Sequence, residues 1–137
     1  MTILGAKIKI YRKITIPGEV ISKKNSPLVI KLGKRYSIRA SKRYTEYEKE
    51  AKTHLLNIEP LLDVHWPITM HFYFFRATLR SFDYNNLSQG PQDLLQQAGI
   101  IPEDDMKHVT PCFSPPYGGW EKDKDSPRVE ITITDGV

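Results

Sequence analysis

The run Ile-Thr-Met-His-Phe-Tyr-Phe-Phe, residues 68 to 75, contains no lysine, arginine or carboxylate. Aromatic and β-branched side chains suit a half-buried pleated surface. Residues 67 to 79 are therefore predicted to form a long central strand, ended by Arg80 and Ser81. That strand sets the frame into which everything else must fit.

Upstream, Ile8, Ile10, Ile14 and Ile16 share one parity and Pro17-Gly18 stops the run, so residues 6 to 16 read as a strand with one buried face. Residues 22 to 27 are loop material. Residues 28 to 41 suit a hairpin turning at Gly33-Lys34, where glycine accepts positive φ. The period then changes. Tyr44, Tyr47, Ala51, Leu55 and Ile58 recur every three or four residues, predicting a helix over 41 to 58 with Ser41 as N-cap and Pro60 beyond its end.

A second helix is expected over 88 to 98. Leu94, Leu95 and Ala98 share a face, Gly99 suits the left-handed position after the last turn, and Pro91 fits only within a first turn. Residues 106 to 113 are expected to be a strand. Residues 114 to 127, with "YGGW" at 117 to 120, read as an exposed loop, and "RVEITITD" alternates as a final strand. Strands before and after two helices, without strict βαβ alternation, predict an α+β fold: one domain over 1 to 137, a mixed sheet packed against two main helices.

Chain length agrees with one domain, since 137 residues suffice for a single compact core. No apolar run approaches the roughly 18 residues needed to span a bilayer. The start, a short apolar patch followed by lysines, reverses the order of a signal peptide. A soluble, intracellular protein with no membrane partner is expected. Cys112 stands alone, and the four histidines have no spacing suited to structural zinc.

Charge divides the chain. Residues 1 to 54 carry 14 Lys/Arg against 4 Asp/Glu, whereas residues 55 to 137 carry 6 against 12. A basic half can grip a phosphate backbone by displacing counterions, and an acidic half can concentrate divalent cations. Lys23, Lys24, Lys34, Arg35, Arg39, Lys42, Arg43 and Arg80 are the candidate DNA contacts, against the alternative of a solvated cationic face.

The acidic half contains Phe82 to Asp105, "FDYNNLSQGPQDLLQQAGIIPEDD", with acids or amides at both ends of a helix. Spacing leaves open whether Asp83 and Asp104 converge or sit in two separate polar loops. His108 is close enough in sequence to the acids to be considered as a proton shuttle. His65 and His71 read as structural.

This stretch resembles the signature of the RusA-type Holliday junction resolvases, approximately D-x-D-N-L-x-K, a helix with a further Asp, then A-G and a D/E-D pair. Asp83, Asn85, Asn86, Leu87, Gln89, Asp93, Leu94, Ala98, Gly99, Glu103 and Asp104 fall in register without a gap. "RVEITIT" is similar to the family's last strand, and "IPGEVISKKNS" and "IRASKRYTEYEKE" to its N-terminal turn and first helix. The resemblance implies a homodimeric endodeoxyribonuclease, of phage or prophage type and acting in the host cytoplasm. Such an enzyme resolves four-way or otherwise branched DNA junctions in recombination and repair with Mg²⁺ or Mn²⁺.

Carried over singly, Asp83 and Asp104 match catalytic metal-binding aspartates, with Asp105 as the ligand if the register shifts by one. Asn85 stands where the family has its middle aspartate and Gln89 where it has a catalytic lysine. Asn85 can still offer an oxygen to a metal, whereas Gln89 brings no positive charge to a phosphate. Lys107, Arg80 or a lysine of the basic half would have to supply it. A catalytically impaired junction-binding protein of the same fold is the alternative reading, and a small phage structural subunit the remaining one.

Overall fold

The structure, a computed structural model, describes residues 2–3, 6–21, 28–39 and 42–136, with side chains for 8–21, 31, 33–35 and 42–136. Its elements in chain order are β1 (Thr2–Ile3), β2 (Ala6–Lys7), β3 (Ile10–Pro17), β4 (Leu28–Leu32), β5 (Arg35–Arg39), α1 (Lys42–Leu55), β6 (Ile68–Arg76), α2 (Tyr84–Gln97), β7 (Val109–Cys112), β8 (Gly119–Lys122) and β9 (Arg128–Asp135). The expected α+β architecture is present: five strands form one mixed sheet, and two helices pack with it.

The uncharged run does become the central strand. β6 pairs antiparallel with β9 along one edge, while its other edge is shared in parallel by β7, opposite its first residues, and β8, opposite its last. β3 adds to the far side of β9. Alternation then sorts the side chains. Ile68, Met70, Phe72 and Phe74 are fully buried, alongside Val129, Ile131 and Ile133 of β9 and Ile14 and Ile16 of β3. Tyr47, Ala51 and Leu55 from α1 and Leu87, Leu94 and Leu95 from α2 complete this core. Each large apolar side chain so buried contributes about 1.5–3 kcal/mol.

The other side of β6 is only partly covered. His71 is buried there, its Nε2 2.9 Å from Thr134 Oγ1 and its ring edge-on to Tyr117. Burial lowers its pKa from the ordinary histidine value, because the charged imidazolium loses hydration.

Several boundaries differ from expectation, each for a local reason. The predicted first strand is split into β2 and β3, and the β3–β9 register shifts between Ile10 and Arg12. That irregularity puts Ile10 opposite Thr134, on the other face of the sheet from Ile131 and Ile133, and Ile10 is exposed although its parity predicted burial. The first helix ends at Leu55, three residues before Ile58, and Ser41 lies outside the described residues.

The second helix starts at Tyr84, four residues before Ser88, and takes Pro91 into its interior. An interior proline costs roughly 3 kcal/mol, and two features offset it. Asp83 caps the helix, its carboxylate accepting the Asn85 N–H at 2.8 Å. Leu87, Pro91, Leu94 and Leu95 are all buried on the inward side. Beside Pro91, Gly90 leaves room for Tyr44, whose hydroxyl would lie 3.3 Å from an added Cβ.

The stretch 114 to 127 is not loop throughout, because Gly119 to Lys122 form β8. Gly119, at φ 143°, has no Cβ to crowd the Tyr73 ring, which would stand 3.2 Å away. Trp120 then lies edge-on to Phe82. The β4–β5 hairpin turns at Gly33-Lys34 as expected, with Gly33 at φ 64°, and forms its own two-stranded sheet.

Candidate active-site cleft

The chain leaves β6 at Arg76, crosses a short loop and enters α2 at its Asp83 cap, so the end of the strand and the start of the helix meet. Between them lies a cleft of about 470 Å³. Arg43 from the first turn of α1 also borders it, as do Arg80 of the loop, and Asp83 and Asn86 at the start of α2. Asp83 is exposed at this position. One of its oxygens accepts the capping N–H, and a carboxylate retains acceptor capacity beyond that single bond.

Behind Asp83 the cleft is held by a bonded pair that the sequence reading did not single out. Glu19 accepts from Arg76 Nε at 3.3 Å through one oxygen and from the Ala77 N–H at 3.1 Å through the other. The Arg76 guanidinium stacks on Phe82, 4.7 Å from the ring centre. The one sequence signal for this arrangement was the arginine that closes an otherwise uncharged strand.

The other predicted ligands are elsewhere. Gly99, at φ 76°, ends α2 with its N–H on Gln96 O, and the Ile100 N–H bonds Leu95 O. This Schellman arrangement keeps Ile100 and Ile101 at the C-terminal end of the helix. Asp83 and Leu95 are twelve residues apart, about 18 Å along a helix. A second ruler agrees. The Asp105 carbonyl accepts from the Val109 N–H, and Val109 pairs with Ile68 at the start of β6, whereas Phe82 packs on Phe74 near its end. Six strand residues span about 20 Å.

Asp83 and Asp104 therefore do not converge within one chain. They mark opposite ends of α2, so of the two arrangements that spacing left open, one chain presents two separate polar segments. The cause is that the turn after Gly99 bonds back onto the helix end instead of running back along its length.

At that far end, oxygens of Glu103 and Asp105 and a ring nitrogen of His108 lie within 4.8 Å of one another. His108 Nδ1 is 2.5 Å from Asp105 Oδ1, and this bond, first among its causes, holds the Asp105 carboxyl below its ordinary range. Asp104 is exposed beside this group. Asp105, and not Asp104, belongs to this group, and it already has His108 as a partner. Lys107 belongs to this end too, so within one chain it does not stand beside Asp83.

Asn85 and Gln89 are exposed in the first two turns of α2, in the same helix as the Asp83 cap. Among the candidate DNA contacts, Arg43 and Arg80 reach the cleft. Lys34 and Arg35 are exposed at the hairpin tip, and Lys42 is exposed with Glu46 3.9 Å away. Lys23 and Lys24 lie outside the described residues, and for Arg39 the backbone alone is described. Among the described residues, no helix is long and apolar enough to cross a membrane. No protein-family model matches this chain, and no curated protein matches it.

Proposed function

We propose that the protein is a divalent-metal-dependent endodeoxyribonuclease that acts on four-way or branched DNA in recombination or repair. The observation that carries this reading is the position of Asp83: an exposed carboxylate at a cleft bordered by arginines, where a metal-bound oxygen and a DNA phosphate can be held side by side. The resemblance to RusA-type resolvases supplies the substrate class, together with the phage-type origin and cytoplasmic setting.

The residues present fit a hard cation in kind. Asp83 and Asn85 offer oxygen, the donor Mg²⁺ and Mn²⁺ prefer, but a single negative charge. When bound there, such an ion would polarise the scissile phosphate. Asp83 supplies the charge that holds it, and the cleft arginines hold the phosphate oxygens.

A homodimer supplies the missing carboxylate. Because Asp83 and Asp104 occupy opposite ends of one helix, an antiparallel two-fold pairing of α2 sets each N-terminal end against the partner's C-terminal end. Each of two equal sites then joins Asp83 and Asn85 to the partner subunit's Asp104. Asn85, Gln89, Gln92 and Gln96 on the outward side of α2 are uncharged, and the one carboxylate within the helix, Asp93, accepts a hydrogen bond from Gln97 at 2.8 Å.

A labelled four-way junction and a matched linear duplex, each with Mg²⁺ or Mn²⁺, test the reading. Paired cuts in the junction are expected, abolished by Asp83→Asn and by Asp104→Asn. Mixing the two inactive variants should restore part of the activity, because one site of a mixed dimer keeps both acids. Junction binding without any cut would instead support the non-catalytic reading, which the neutral Asn85 and Gln89 favour.

A further inference from the structure

The cleft beside Asp83 contains a cation that surface attraction to DNA does not require, because it is largely buried. The Arg76 side chain is 12% exposed. Its Nε is committed to Glu19, and its face is covered by Phe82. Its Nη1 is buried and has no acceptor among the described residues. A guanidinium N–H removed from water without an acceptor is unfavourable, and an oxyanion drawn into the adjoining space would relieve it.

The surroundings point to the same ligand. Arg43 and Arg80, both exposed, border the cleft from the other sides. Three guanidinium groups thus face two carboxylates, Glu19 and Asp83, and both oxygens of Glu19 are already engaged within the fold. Asn86 and Leu87 in the first turn of α2 line the cleft, at the helix end where the backbone dipole favours an anion.

We propose that this cleft is a seat for one phosphate group, anchored by Arg76, with Glu19 as the positioning residue that fixes the guanidinium. On the nuclease reading, on which the identity of its owner rests, the phosphate is a backbone phosphodiester next to the bond cut at Asp83. Arg76 then takes the part for which Gln89 has no charge.

The test is an NMR titration of the full chain with inorganic phosphate at constant ionic strength, matched against chloride. Saturable shifts are expected at the Arg76 Nε–H and at the amides of Ala77 and Asn86. Arg76→Lys keeps the charge but loses the planar fork, and should weaken phosphate binding about tenfold. The double variant Arg43→Ala/Arg80→Ala changes exposed side chains and should fold normally while binding several times more weakly. Absence of a saturable shift at Arg76 in the folded protein overturns the seat, as does unchanged affinity in the folded double variant.

Junction cutting by the same samples separates the two ideas. Phosphate bound at Arg76 in a protein that neither binds nor cuts DNA leaves the seat standing and removes the nuclease. Junction cutting unaffected by Arg76→Lys, with no phosphate signature, does the reverse.

Discussion

The two ends of α2 carry similar acids in opposite settings. At the N-terminal end Asp83 caps the helix and borders a cleft with Arg43, Arg76 and Arg80. At the C-terminal end Asp105 is engaged by His108, and Glu103 and Asp104 are exposed around it. One end combines a carboxylate with cations suited to phosphate, whereas the other gathers carboxylates and a histidine. The difference teaches that acids lying in one continuous stretch of sequence can still be divided in space by the helix between them.

The comparison is most exposed to failure in catalysis. On the proposed nuclease reading, Asp83→Asn should lower the rate of junction cutting at least about 100-fold, since that reading places its charge beside the reacting phosphate. The helix should survive, because asparagine caps as well as aspartate does. Asp104→Asn should match that loss, whereas a full loss confined to Asp105→Asn would transfer the ligand role by one residue. Equal and undiminished rates in all three would end the assignment.

Stability provides the next contrast. Gly99→Ala should cost about 1–2 kcal/mol, the penalty of a left-handed backbone for an L side chain. No heavy atom lies within 4 Å of the added Cβ, so the cost is conformational. Urea midpoints would measure it. At the other end Asp83→Ala should cost about 1 kcal/mol through the lost cap. A null result there, beside a normal loss for Gly99→Ala, would mean that tertiary packing alone fixes the start of α2.

The smallest expected effect concerns protons. His108→Gln should move the Asp105 titration, followed by carboxyl ¹³C shifts, back up toward the ordinary aspartate range. A carboxyl depressed in the folded state contributes stability above its unfolded pKa and loses it as pH falls through the folded value. The variant should therefore show less of the acid-side loss that Asp105 causes. An unmoved titration would remove the bond to His108 as the cause of the shift.

What could be read from sequence was whatever local chemistry decides. Gly99 and the residues around it mark a helix end through backbone geometry, Gly33 marks a hairpin, and 128 to 135 form a strand as their alternation predicted. Pro91 misled for the opposite reason: its local preference points to a first turn, but the burial of Leu87 and Leu94 on either side outweighs it. β8 was hidden because Gly119 has no side chain with which to show alternation; what defines it is the space it leaves for Tyr73.

The candidate site was legible in part. Asp83, Arg43 and Arg80 were named and share a cleft, whereas Glu19 and Arg76, 57 residues apart, meet only through the fold. The direction taken after Gly99 decides whether the acids meet, and residue spacing carries no record of it.

The position of β9 has a consequence for how the chain acquires its structure during synthesis. β3 and β6 are not neighbours; each pairs with β9, which lies between them. While a ribosome has yet to release residues 128 to 135, β3 has no sheet partner among the described residues and β6 has one bare edge beside Phe72 and Phe74. The nascent chain therefore passes through a stage in which its most apolar strand is open to other chains, and release of β9 closes it.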